Sequence, residues 1–131
     1  MIRKNHFSCV SMSESIIKNK SYAFALRIVK AYKFLSGEKK EFVLSKQLLR
    51  SGTSIGANVT EAIGGISKPD FSAKISIAYK EALETEYWLQ LLKDSEYLDE
   101  KVFNSLMEDC VELSKILFSI LKTTGRIRNS D

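Results

Sequence analysis

The stretch QLLRSGTSIGANVTEA (Gln47–Ala62) decides the fold. Leu48, Ile55, Val59 and Ala62 fall on one helical face, and Leu44 extends that face backwards. The segment therefore reads as a helix from about Glu41 to Ile63, ended by Gly64-Gly65. Its interior nevertheless holds Gly52, Thr53, Ser54 and Gly56. A glycine inside a helix costs about 1 kcal/mol against alanine, so packing against another element must hold this segment helical. The small size of these residues points to a close helix contact.

The same periodicity recurs on either side. Tyr22, Ala25, Ile28, Val29, Tyr32 and Leu35 mark a helix from about Glu14 to Leu35, stopped by Ser36-Gly37. Ser67-Lys68-Pro69-Asp70 joins a serine cap, an early-turn proline and an acid three residues after the cap, which opens a third helix. Phe71, Ile75, Ala78, Ala82 and Leu89 run along it to about Lys93, and Asp99 caps a fourth helix bearing Val102, Leu106, Cys110, Leu113, Leu117 and Ile120. Helices of this length reach about 30 Å, and short connections favour antiparallel neighbours. The expected fold is all-α: an antiparallel up-down four-helix bundle over residues 13–123. An N-terminal tail of residues 1–12, in which Met12 reads as an alternative start, and a C-terminal tail of residues 124–131 flank it.

With 131 residues there is room for one domain. No apolar run approaches the roughly 20 residues that cross a bilayer, and the first ten residues, with Arg3, Lys4, His6, Ser8 and Cys9, lack the apolar stretch of a signal peptide. A cytoplasmic protein is expected. Cys9 and Cys110 have no CxxC partner and read as free thiols. The one histidine, His6, lies in the expected tail, so no nucleophile with its base, no metal set and no Glu-x-x-His di-iron motif can be assembled. Gly64 to Lys68 lacks the spacing of a phosphate loop. Neither catalysis, a metal, a cofactor nor a small-molecule substrate is expected, and Glu81, Glu84 and Glu86 read as partners in ion pairs.

Charge is unevenly spread: residues 1–80 carry 14 basic and 5 acidic side chains, and residues 81–113 carry 2 and 10. A folded chain is expected to present separate basic and acidic regions. Arg27, Lys30 and Lys33 on the first helix, with Lys46 and Arg50 on the second, are candidate contacts to the phosphates of RNA or DNA. On the second helix Gln47, Ser51, Ser54, Asn58 and Glu61 form a polar seam beside the apolar face, either a half-buried network that sets helix register or a ligand site. Ile77, Tyr87, Trp88, Leu91 and Leu92 on the third helix, and Phe103, Met107, Val111 and Phe118 on the fourth, lie off the core stripe. A helix apolar on so much of its circumference needs covering, and contact between subunits would supply it; a wide monomer core with some exposed aromatics is the other reading.

Across about residues 20–123 the chain resembles the 23S ribosomal RNA intervening-sequence proteins. The resemblance is carried by Gln47 to Ala62, which is similar to the family's pattern of Gln, Arg, Ser-Ile and Asn-x-x-Glu, and by EALETEYWLQLLKDSEYL (Glu81 to Leu98), which is similar to its Glu-Thr-rich third helix. The family commonly has glycine after Asn-x-x-Glu; this chain has Ala62 there and reaches glycine at Gly64. The resemblance implies a small helical subunit without enzymatic activity that assembles into a homo-oligomeric ring, a pentamer. Two functions remain open: nucleic-acid binding through the basic surface, or a protein-interaction scaffold without it.

Overall fold

A computed structural model describes residues 11–124 as four helices, α1 (Met12–Gly37), α2 (Leu44–Ile63), α3 (Lys68–Asp94) and α4 (Glu100–Thr123). Each packs on its neighbour in sequence, and α1 closes the bundle against α4. Residue numbers rise on one helix as they fall on the next. Gly52 and Gly56 face Ile28 and Ser21, Arg50 and Glu61 meet Glu84 and Lys74, Tyr79 and Lys93 meet Phe118 and Phe103, and Lys20 and Arg27 meet Glu112 and Asp109. That is the pattern of an antiparallel up-down bundle.

The helix starts follow from local chemistry. Ser11 and Glu14 form a capping box at α1, with the Glu14 amide donating to Ser11 Oγ at 3.1 Å and the Ser11 amide to Glu14 Oε1 at 3.3 Å. Met12 is thus the first residue of α1 and Ser11 its cap, where a tail through residue 12 was expected. The rest of that tail, with His6 and Cys9, and residues 125–131 lie outside the described residues. Ser67 and Asp99 cap α3 and α4 as expected, accepting from the amides of Asp70 and Val102.

Helix α2 starts three residues later than expected, because Glu41 acts from outside it. Its carboxylate accepts from the amides of Val43 at 3.1 Å, Leu44 at 2.9 Å and Ser45 at 2.6 Å, taking up donors that the first turn leaves without helical partners. Burial is the largest single influence on this carboxyl and works against its charge. The hydrogen bonds from Leu44, Ser45 and Val43 together outweigh it and hold the group below the usual carboxylate range.

The core matches the expected faces of α2, α3 and α4, except that Val102 is exposed and Leu44 and Phe71 are half-buried at the edge of the core. On α1 the face is rotated: Ile17, Ser21, Phe24, Ile28 and Leu35 are buried, whereas Tyr22 is 66% exposed. This helix is apolar on several sides, so its own periodicity does not select a face; contact with α2 does. A Cβ built on Gly52 would lie 2.8 Å from the Ile28 side chain, and one on Gly56 would lie 3.3 Å from the Ser21 carbonyl oxygen. The glycines let α1 approach α2 along this line, which fixes Ile28 and Ser21 inward.

Two outcomes test these assignments. Gly52→Ala gains helix propensity yet drives a methyl into fully buried Ile28, and is expected to lower unfolding stability by about 1–3 kcal/mol; Gly37→Ala, with nothing within 4 Å of the new Cβ, is expected to raise it by about 0.5–1 kcal/mol. Urea denaturation reads both, and equal effects would contradict the close approach. Glu41 has a folded pKa below its unfolded one, so its stabilisation is complete above the unfolded value of about 4.3 and is lost as pH falls through the lower folded value. Glu41→Gln is therefore expected to cost about 1–2 kcal/mol at pH 7 and to differ less from wild type below about pH 4; a gap that does not change with pH would contradict it.

Candidate nucleic-acid interface

The antiparallel order sets α4 beside α1 and α3 beside α2, so the acidic stretch lies against the basic half within one chain. Arg27 donates to Asp109 Oδ2 at 2.6 Å and to Ser105 Oγ at 2.9 Å. Lys20 meets Glu112 at 3.1 Å. Arg50 reaches Glu84 at 2.7 Å and Glu81 at 3.4 Å. The expected separation into basic and acidic regions is thus reduced, and two of the five candidate phosphate contacts, Arg27 and Arg50, are engaged by carboxylates. Lys30, Lys33 and Lys46 are exposed, with no ion-pair partner among the described residues. Such exposed pairs add little stability, about 0–1 kcal/mol each; their consequence is for the surface potential.

Arg50 anchors a longer network than its sequence position suggests. The Trp88 indole N–H donates to Glu84 Oε2 at 3.0 Å. That bond is the leading cause holding Glu84 below the ordinary carboxylate range; burial opposes it and Arg50 adds to it. The hydrogen bond to Glu84 in turn raises Arg50 further, against burial and with help from Glu81. The other Glu81 oxygen, Oε1, is buried with no hydrogen-bond partner among the described residues. Glu86, also expected in an ion pair, instead accepts from Ser114 Oγ at 2.7 Å.

The polar seam divides. Ser51 is buried and accepts from Thr85 Oγ1 at 3.0 Å, and Glu61 pairs with Lys74 at 2.9 Å, both across to α3. Ser54 and Asn58 turn back instead, donating to the carbonyls of Arg50 and Ser54 on their own helix, while Gln47 is exposed. The seam therefore pins the register of α2 against α3 at two points. Cys110 is a buried free thiol that donates to the Ala82 carbonyl; burial, then Glu86 and Asp109, push its pKa up, away from reactivity.

Of the expected subunit-contact residues, Ile77, Tyr87 and Phe118 are exposed and Trp88, Leu91, Met107 and Val111 half-buried. Leu92 and Phe103 are corrected: at 0% and 8% exposure both belong to the monomer core. Leu92 follows Leu89 by one helical step onto the inner face, and Phe103 lies beneath Lys93, whose ammonium sits 5.0 Å from the ring centroid. Tyr22, Leu26 and Leu83 are exposed apolar residues that periodicity did not single out as surface. Among the described residues no helix is long and apolar enough to cross a membrane, and no group of three or more His, Cys, Asp or Glu side chains is placed to hold a metal ion.

A crystal structure of a protein of unknown function from the S23 ribosomal protein family of Bacteroides thetaiotaomicron VPI-5482 is similar to this chain at a TM-score of 0.83 and 54% identity, covering 85% of this chain and 99% of that one. No curated protein matches. The family described as 23S rRNA-intervening sequence protein matches residues 13–119, which include the glycine contact of α2 and the Arg50 network. By this match over most of its length, the chain belongs to the 23S rRNA-intervening sequence protein family.

Proposed function

We propose that this protein is a non-enzymatic, cytoplasmic, self-associating subunit that binds nucleic acid through the outer face of α1. The observation that carries this is the composition of α1: from Ser15 to Gly37 it holds Lys18, Lys20, Arg27, Lys30 and Lys33 and no carboxylate. With Lys20 and Arg27 drawn towards α4, Lys18, Lys30 and Lys33 remain on the exposed side. The register set by Gly52 against Ile28 brings Lys46 level with the turn that carries Lys33. Mobile ammonium groups without a fixed geometry suit phosphate backbones more than base edges, so binding is electrostatic and weakly sequence-specific.

Self-association is supported by apolar side chains that the bundle leaves exposed away from the outer face of α1: Ile77, Leu83 and Tyr87 on α3, and Phe118 on α4. A closed ring of five subunits is the form implied by the family resemblance. The rival is a scaffold that only assembles, favoured by the internal pairing of Lys20, Arg27 and Arg50.

One sample decides between them by light scattering and a salt-titrated anisotropy assay with a labelled RNA. The expected result is a mass of about five subunits and an affinity that falls steeply with salt, the slope being shallower by roughly 1.4 for a single strand in Lys30→Glu/Lys33→Glu, from about 0.7 per phosphate contact, and unchanged in Arg50→Gln. Assembly with absent or salt-insensitive binding would establish the scaffold instead, and a monomer would remove the ring.

A further inference from the structure

The bundle end that carries the α1–α2 and α3–α4 connections holds a cleft of about 760 Å3, within the roughly 300–1,000 Å3 of ligand sites. It opens along the seam of α1 and α4, the least closely packed of the four. Its walls are Ala31, Leu98, Val102 and Leu106, with the rings of Phe34 and Tyr97. Phe34 is 43% exposed, and the Lys39 ammonium lies 5.8 Å from its ring centroid. Lys30, Lys39 and Lys93 bring positive charge, and Glu96 and Glu100 carboxylates. Arg27 and Asp99 also line the cleft but are engaged by Asp109 and by the α4 cap.

The loop that supplies Glu96 and Tyr97 ends α3 in a left-handed turn. The Tyr97 amide donates to the Leu92 carbonyl at 2.8 Å and the Glu96 amide to that of Lys93 at 2.9 Å, a Schellman ending in which Glu96 has a φ of 70°. Glycine is the residue that this position favours. A charged side chain is held there against that preference, on the rim of the cleft.

The lining narrows the ligand class. An acidic peptide would meet Glu96 and Glu100, and a basic one would meet Lys30, Lys39 and Lys93. A nucleotide satisfies all three kinds of group, with a flat apolar ring, an anionic phosphate and an N–H edge that donates to carboxylates. We infer that the cleft is a subsite for one unstacked base of single-stranded nucleic acid. The base stacks on Phe34 and Tyr97, the flanking phosphates meet Lys30, Lys39 and Lys93, and the N–H edge faces Glu96 and Glu100. The subsite rests on the nucleic-acid role proposed above and adds a preference for unpaired strands, since a base within a duplex cannot enter.

Anisotropy with a short RNA of mixed sequence, single-stranded or annealed to its complement, tests the subsite on the full chain. Phe34→Leu and Tyr97→Leu remove the rings while keeping bulk, and circular dichroism checks that helicity is retained. Each is expected to weaken single-strand binding at least about fivefold, the low end for one stacked base, with the salt slope and any duplex binding unchanged. Wild-type binding that both variants retain in full would overturn the subsite and leave the basic face standing, as would a preference for the duplex. Adenosine monophosphate that binds as tightly as the strand would overturn the assignment to a strand. Absence of all nucleic-acid binding by the wild type would overturn both proposals.

Discussion

The approach of α2 to α1 at Gly52 is the constraint on which the rest of the structure depends. No side chain with a Cβ fits between this backbone and Ile28 without a shift, and the second glycine, Gly56, brings the same line up to the Ser21 carbonyl. The contact determines which of several apolar sides of α1 faces inward, and hence which cations face outward. It also sets Ser51 and Arg50 of α2 against α3, where Ser51 meets Thr85 and Arg50 meets Glu81 and Glu84. Two glycines that weaken the helix locally thereby define the register of three helices.

Charge follows from that register. An antiparallel bundle of a basic half and an acidic stretch brings opposite signs together within one subunit, and α4 takes up Lys20 and Arg27 while α3 takes up Arg50. The cations left without an ion-pair partner among the described residues include Lys18, Lys30 and Lys33 on one side of α1 and Lys46 at the start of α2. Net charge alone overstates the field such a molecule presents, because paired groups screen each other at short range. The cleft between α1 and α4 lies at the end of this lysine face and shares Lys30 with it, so a strand tracking the lysines would pass its mouth.

Much of the fold was legible in the sequence because the signals were local. Ser67, Pro69 and Asp70 announced α3, Asp99 announced α4, and the glycines of α2 announced a close contact. What was not legible depended on which groups meet in space. Glu41 read as a helical residue, since a carboxylate capping a helix from before its first turn leaves no periodic mark. Leu92 and Phe103 read as surface because a wheel shows direction but not how deep a neighbour packs. Arg27 and Arg50 read as free cations because their partners lie on other helices, 82 and 34 residues away in sequence. The α1–α4 cleft, assembled from two helices and two loops, had no contiguous signature.

The direct test of the central claim, that nucleic acid lies along the α1 lysines, is lysine acetylation footprinting read by mass spectrometry with and without bound RNA. RNA is expected to protect Lys30, Lys33 and Lys46 and to leave Lys101 and Lys115 on α4 as reactive as before. Protection confined to the α4 lysines, or the same protection at every lysine, would contradict it.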